Sequence, residues 1–226
     1  MGTILRVPYK MLAAPIPAEK IHNEKTALIL LDFQKYTCDR NSGLGRLATE
    51  KGITPEFDEY YSMVDAARKN CSSLLEVSRR NGVRVLFTYF FKESNRSQYS
   101  RQFEISQYPL PGGDLKKEYL DDLQPTKEDG IIIRDTYSPF LYTGLEENLQ
   151  VDNKDILIMA GTLYNQTVAL AAREAADRGF TVIVVWDASA SETLDWHIVT
   201  RTGLMGGLIL SRRTQEVIEM LEGKRT

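Results

Sequence analysis

The chain has 226 residues, 28 Lys+Arg against 31 Asp+Glu, 42% hydrophobic residues and two cysteines. At roughly 100–200 residues per domain this is one domain with a continuous core, and a net charge of −3 leaves no basic footprint for nucleic acid or anionic lipid. Cys38 and Cys71 are too few for a disulfide framework or a four-thiolate metal site and fit a reducing, cytoplasmic setting.

Residues 1–24 mix basic, Pro and Ala residues without the apolar core of a signal peptide, and read as an irregular surface arm before a domain over 25–226. Beyond it, short apolar runs alternate with helix-periodic stretches. The runs are Thr26–Leu31, Val83–Phe91, Gly130–Ile133, Asp155–Ala160, Phe180–Trp186 and Gly207–Leu210. None is long enough to span a bilayer. Lacking polar alternation, they predict strands covered on both faces, as in a parallel sheet between helix layers. Helical patterns fall at about Glu59–Asn81, Phe140–Leu149, Asn165–Arg178, Glu192–Gly203 and Thr214–Leu221, and two of them stop at a glycine, in RRNGV and DRGF. Strand–helix repetition of this kind predicts a three-layer, Rossmann-like α/β domain. Residues 92–129 break the rhythm, with only a short helix near Leu115–Leu123. Their aromatic and basic residues, Tyr99, Arg101 and Tyr108 among them, suggest an ordered lid; the alternative is a plain surface excursion.

In such sheets ligands bind beyond the carboxyl ends of the strands. Asp32 and Gln34 follow the first run, Arg134 the third, and Gly161–Val168 the fourth. An aspartate in an apolar pocket beside a cation can be set as an acid or base near neutral pH; otherwise Asp32 is a turn cap. The strand-to-helix turn at Gly161–Val168 offers free N–H groups to developing negative charge, or is simply a capped connection. His197, beside Trp196, reads as a packed or capping residue more readily than a catalyst, and with His22 in the arm there is no zinc pattern.

Four strings in order, TALILLDFQ, IIIRDTYSPFLYTGLEENL, ILIMAGTLYNQTVALAAREAADRGFTVIVVWDASAS and a histidine in the next helix, resemble the isochorismatase-like hydrolase superfamily, from about Lys25 to Leu221. The resemblance implies a six-stranded, mainly parallel sheet in order 3-2-1-4-5-6 and assembly as a homo-oligomer, a dimer or tetramer. It implies Asp32 as the catalytic aspartate and a cis peptide at Thr162–Leu163 aiming the N–H groups of Leu163 and Thr167 at an oxyanion. Arg134 stands where the family has its lysine, and Thr167 where it has its nucleophilic cysteine. Arginine keeps the charge but does not shuttle a proton, and a threonine hydroxyl does not become an anion as a thiol does. The catalytic set is therefore Asp32, Arg134 and Thr167. Gln34, Leu163, Tyr164 and Tyr137, with Tyr99, Arg101 and Tyr108 from the lid, are the substrate-binding candidates. The histidine-bearing segment of metal-binding members is replaced by TYFFKESNRS, so neither metal nor cofactor is implied. The expected activity is hydrolysis of a small, carboxylated molecule without a thiol nucleophile, with Asp32 as general acid or base. The alternatives are a catalytically silent relative that binds a metabolite or partner protein, and an amide or ureide hydrolase using Thr167 or water.

Overall fold

The structure, a computed structural model, describes residues 21–91, 105, 118–204 and 209–224. Six strands form one parallel sheet: β1 (Thr26–Leu31), β2 (Arg84–Phe90), β3 (Gly130–Arg134), β4 (Ile156–Gly161), β5 (Thr181–Val185) and β6 (Ile209–Arg212). Their order is β3-β2-β1-β4-β5-β6, all neighbours running parallel. The sequence led to a mainly parallel sheet; it is parallel throughout the described strands.

Every residue of β1 and of β4 is buried, which is why both read as unbroken apolar runs. Alternate side chains point to opposite faces. Leu28 and Leu30 join a core with Val64, Ala67, Cys71 and Leu74 of α3 (Asp58–Arg80) and Val217 and Leu221 of α7 (Thr214–Leu221). Ala27, Ile29 and Leu31 join a second core with Leu145 and Leu149 of α4 (Leu145–Val151), Ala169 and Ala172 of α5 (Ala169–Asp177), and Leu204 of α6 (Leu194–Leu204). Two short helices, α1 (Lys35–Cys38) and α2 (Gly43–Glu50), have no counterpart among the predicted elements.

Four expectations need correction. The Asn165–Arg178 helix opens instead as a π turn over Tyr164–Val168 before α5 begins. The helix predicted from Phe140 starts only at Leu145, because Ser138 and Thr143 spend their hydroxyls on local turns: Ser138 Oγ accepts from the Phe140 and Leu141 N–H groups, and Thr143 Oγ1 donates to the Pro139 carbonyl. The last part of the presumed lid belongs to the core, where Tyr119 is fully buried with its hydroxyl 2.9 Å from the Leu30 carbonyl and 2.7 Å from that of Thr88. Of the helix expected near Leu115–Leu123, the described residues 118–123 form only a 3-10 turn over Asp121–Leu123. At the end of the arm, Ile21 is buried and Asn23 donates its side-chain N–H to the Leu221 carbonyl, so the chain is anchored before β1 begins.

Gly161 fixes how closely β4 approaches β1. Its φ is +156°, and a Cβ there would come within 2.2 Å of the Leu31 carbonyl oxygen. Only glycine lets the two strand ends close at the point where the candidate site begins.

Candidate active site

β1 ends directly at Asp32, whose φ of +55° turns the chain into the left-handed region. Aspartate tolerates that region better than most residues. The Thr162 hydroxyl donates to the Asp32 carbonyl at 2.9 Å and so fixes the turn from β4. Asp32 is buried, and Thr88 of β2 donates its hydroxyl to Oδ1 at 2.5 Å.

Arg134 closes β3, paired in register with Phe90 of β2, and its guanidinium carbon lies 4.8 Å from the Phe90 ring centroid. From there one Nη2 donates to Asp32 Oδ2 and, at 3.3 Å, to Thr167 Oγ1, while Nη1 donates to the Thr136 carbonyl. Nε is buried with no hydrogen-bond partner. Thr167 is buried on the π turn. The structure therefore brings Asp32, Arg134 and Thr167 into one contact from three parts of the sequence.

Burial pushes the Asp32 carboxyl above its ordinary value; Arg134 and the Thr88 hydroxyl pull the other way without overcoming it. A carboxyl in that balance can hold or release a proton, and an arginine beside it stays charged whatever the carboxyl does. Among the described residues there is no group of three or more His, Cys, Asp or Glu side chains placed to hold a metal ion.

The other candidates separate. Gln34 is buried and its Oε1 accepts the Phe90 N–H at 2.8 Å, so it holds the end of β2 on which the Arg134 platform rests. Tyr137 is half-buried and stacks on Phe90, rings 6.3 Å apart and 7° from parallel. Leu163 is half-buried, and a cis peptide joins it to Thr162, at the bond the resemblance marked. Tyr164 needs correction as a substrate contact. Its ring is fully buried in the α5 and α6 core, 4.8 Å from the His197 ring, because the π turn rotates it away from Thr167. Tyr99, Arg101 and Tyr108 lie outside the described residues.

Thr88, Thr136 and Phe90 were not expected, and Thr162 was expected only as one side of the cis peptide. A lone threonine in the apolar run VRVLFTYFF was the available sign for Thr88. Cys38 lies behind the site with Sγ 3.7 Å from Thr162 Oγ1 and 3.9 Å from the Asp32 carbonyl. Burial pushes both thiols up, Cys71 strongly, which is the opposite of what a thiolate nucleophile requires.

The isochorismatase domain model matches residues 26–202. This chain belongs to the isochorismatase family. It is 27% identical to nicotinamidase 3 of Arabidopsis thaliana over 152 residues, 66% of this chain and 77% of that one. It is 22% identical to isochorismatase of Bacillus subtilis over 220 residues, 95% of this chain and 65% of that protein. Among solved structures, a cysteine hydrolase from Pseudomonas syringae pv. phaseolicola superposes with a TM-score of 0.79 at 22% identity, over 94% of this chain and 99% of that chain. As an isochorismatase-family member the protein falls among hydrolases, and among its described residues no helix is long and apolar enough to cross a membrane.

Proposed function

We propose that this isochorismatase-family protein hydrolyses a small carboxylated molecule without a covalent thiol intermediate, Asp32 serving as general acid and then base. The observation that carries the reading is the buried contact of Asp32 with Arg134, the same guanidinium also holding Thr167. Asp32 delivers its proton to the substrate's reacting atom as the C–O or C–N bond opens. Water attacks the electron-poor carbon and returns a proton to the carboxylate. Arg134 sets the proton affinity of Asp32, and its Nε–H, unpartnered among the described residues, is available to a substrate carboxylate. The backbone N–H groups of Leu163 and Thr167 take up developing negative charge, and Tyr137 with Phe90 forms an aromatic wall. Thr167, which accepts a hydrogen bond from a cation and has no base supplied to it, is a poor nucleophile.

Leu194, Trp196, Ile198 and Val199 stand exposed on α6, and we assign this face to the contact of a dimer or tetramer in the cytoplasm. One observation favours a second reading, a silent binder of a metabolite: three of the guanidinium's contacts are already made within the protein.

The test is turnover on a panel of vinyl ethers, amides and ureides. Wild type should turn over at least one class, Asp32→Asn should lose about 10²–10⁴-fold while staying folded by circular dichroism, and Thr167→Ala should stay within a few-fold. Loss of activity in Thr167→Ala equal to that in Asp32→Asn would establish a threonine nucleophile. A wild type inert on the whole panel, yet binding one of its members, would favour the silent binder.

A further inference from the structure

A second polar cluster lies beyond the ends of β4, β5 and β6, built by residues the reaction above does not use. Four buried polar atoms there find no hydrogen-bond partner: Tyr164 Oη on the π turn, His197 Nδ1 and Arg201 Nε on α6, and Ser211 Oγ on β6. The Tyr164 and Ser211 hydroxyls are neighbours, and Ser211 pulls the Tyr164 proton affinity down against the larger upward push of burial. Buried polar groups are almost always satisfied; here the two hydroxyls have at most each other, and the imidazole and guanidinium nitrogens have no partner among the described residues.

The charge around them is mainly positive. The Arg201 guanidinium carbon lies 3.9 Å and that of Arg213 5.2 Å from the Trp186 ring centroid, so two cations converge on one indole. Arg173, from α5, lies against α6 at Gly203 and acts electrostatically on the Tyr164 hydroxyl together with Arg201. The ion pairs among the described residues use other arginines, such as Arg40 with Asp65 and Arg178 with Glu146 and Glu174. Two carboxylates lie beside the cluster and both have partners: Asp187 accepts from the N–H and hydroxyl of Thr214, and Glu216 accepts from the Arg213 backbone N–H.

We propose that this cluster is a binding site for a tetrahedral oxyanion, phosphate or sulfate, free or as a phosphomonoester. Two hydroxyls and a guanidinium N–H from three different elements donate from several directions, which suits four tetrahedrally arranged oxygens better than a planar carboxylate. The anion would also relieve the repulsion between Arg201 and Arg213. Tyr164 opens the same π turn that carries Thr167, so the site adjoins the catalytic turn from its core side. This assignment is independent of which reaction the Asp32 site performs.

Calorimetric titration of the full chain with sodium phosphate, sodium sulfate and glycerol 3-phosphate, against sodium chloride at matched ionic strength, tests it. Saturable binding of one phosphate per chain is expected, weakened tenfold or more in Arg201→Gln and in Ser211→Ala and unchanged in Asp32→Asn. Tighter binding of glycerol 3-phosphate would identify the ligand as an ester, and equal or weaker binding as the free ion. A wild-type isotherm matching chloride, as bound water alone would give, overturns the proposal. So does phosphate binding that survives in Ser211→Ala, whose half-buried position tolerates the change should Arg201→Gln fail to fold, or binding that disappears in Asp32→Asn.

Discussion

Two polar clusters occupy the carboxyl edge of one sheet, and they handle charge in opposite ways. Beyond β1, β2 and β3 a carboxylate and a guanidinium are buried in direct contact, and the hydroxyls of Thr88 and Thr167 join them, with Arg134 Nε left over. Beyond β4, β5 and β6, positive groups gather around Trp186 without a carboxylate in contact, and hydroxyl, imidazole and guanidinium atoms are buried unpartnered. A buried pair of opposite charges in contact sets a proton affinity; a buried set of donors without a carboxylate in contact with its guanidinium groups calls for an anion. The contrast can be broken at either end by removing one group at a time.

The largest effect is expected at Asp32. Asp32→Ala leaves Arg134 buried and charged, because a guanidinium does not give up its proton, and should cost about 3–5 kcal/mol of stability, read as a drop in denaturation midpoint. Arg134→Met should cost less, because the abandoned carboxyl can stay protonated. In that variant the larger force lowering the Asp32 proton affinity is gone, and the Thr88 hydroxyl alone remains. If activity needs the acid form, it falls as pH rises through the Asp32 value, and Arg134→Met moves that falling limb to higher pH. Equal stability losses in the two variants would contradict the asymmetry. A smaller loss, about 1 kcal/mol, is expected from Thr162→Val, which removes the hydroxyl donated to the Asp32 carbonyl while keeping the side chain's shape. Chemical denaturation checks it, and a change below the error would mean that the Asp32 turn is held without Thr162.

The difference between the two clusters also follows what the sequence made readable. β1 and β4 announced themselves because burial on both faces removes polar residues altogether, and Asp32 and Arg134 stood out as the first charges after such runs. Thr88 did not, because a threonine in a strand satisfies β propensity whether or not its hydroxyl meets a carboxylate. Tyr119 was hidden in a stretch whose polar neighbours signal a loop, although its own ring fills the core. Helices α1 and α2 are too short to carry a convincing period. Tyr164 was assigned to the pocket by its closeness in sequence to Thr167. A π turn winds fewer degrees per residue than an α-helix, so that closeness put the two side chains on different faces. The second cluster depends on that misplaced tyrosine and on a histidine read as a packed or capping residue, whose ring lies against those of Tyr164 and Trp186.

The smallest expected effect comes from that histidine and sharpens the contrast from the unpaired side. Burial, helped by Arg201, pushes the His197 value below the 6.5 of a free histidine. The unfolded chain therefore binds the proton first as pH falls. The stability contributed by neutral His197 is fully present above the unfolded value and is lost as pH drops through 6.5 toward the folded one. In phosphate-free buffer, the wild-type midpoint should fall between pH 7 and pH 5 more steeply than that of His197→Phe, which keeps the ring contact and removes the titration. Added phosphate should flatten the wild-type slope, because an anion beside His197 makes the protonated ring less costly to bury. Parallel slopes for the two proteins would mean that His197 titrates alike in the folded and unfolded chain, and that the cations around Trp186 act on something other than this imidazole.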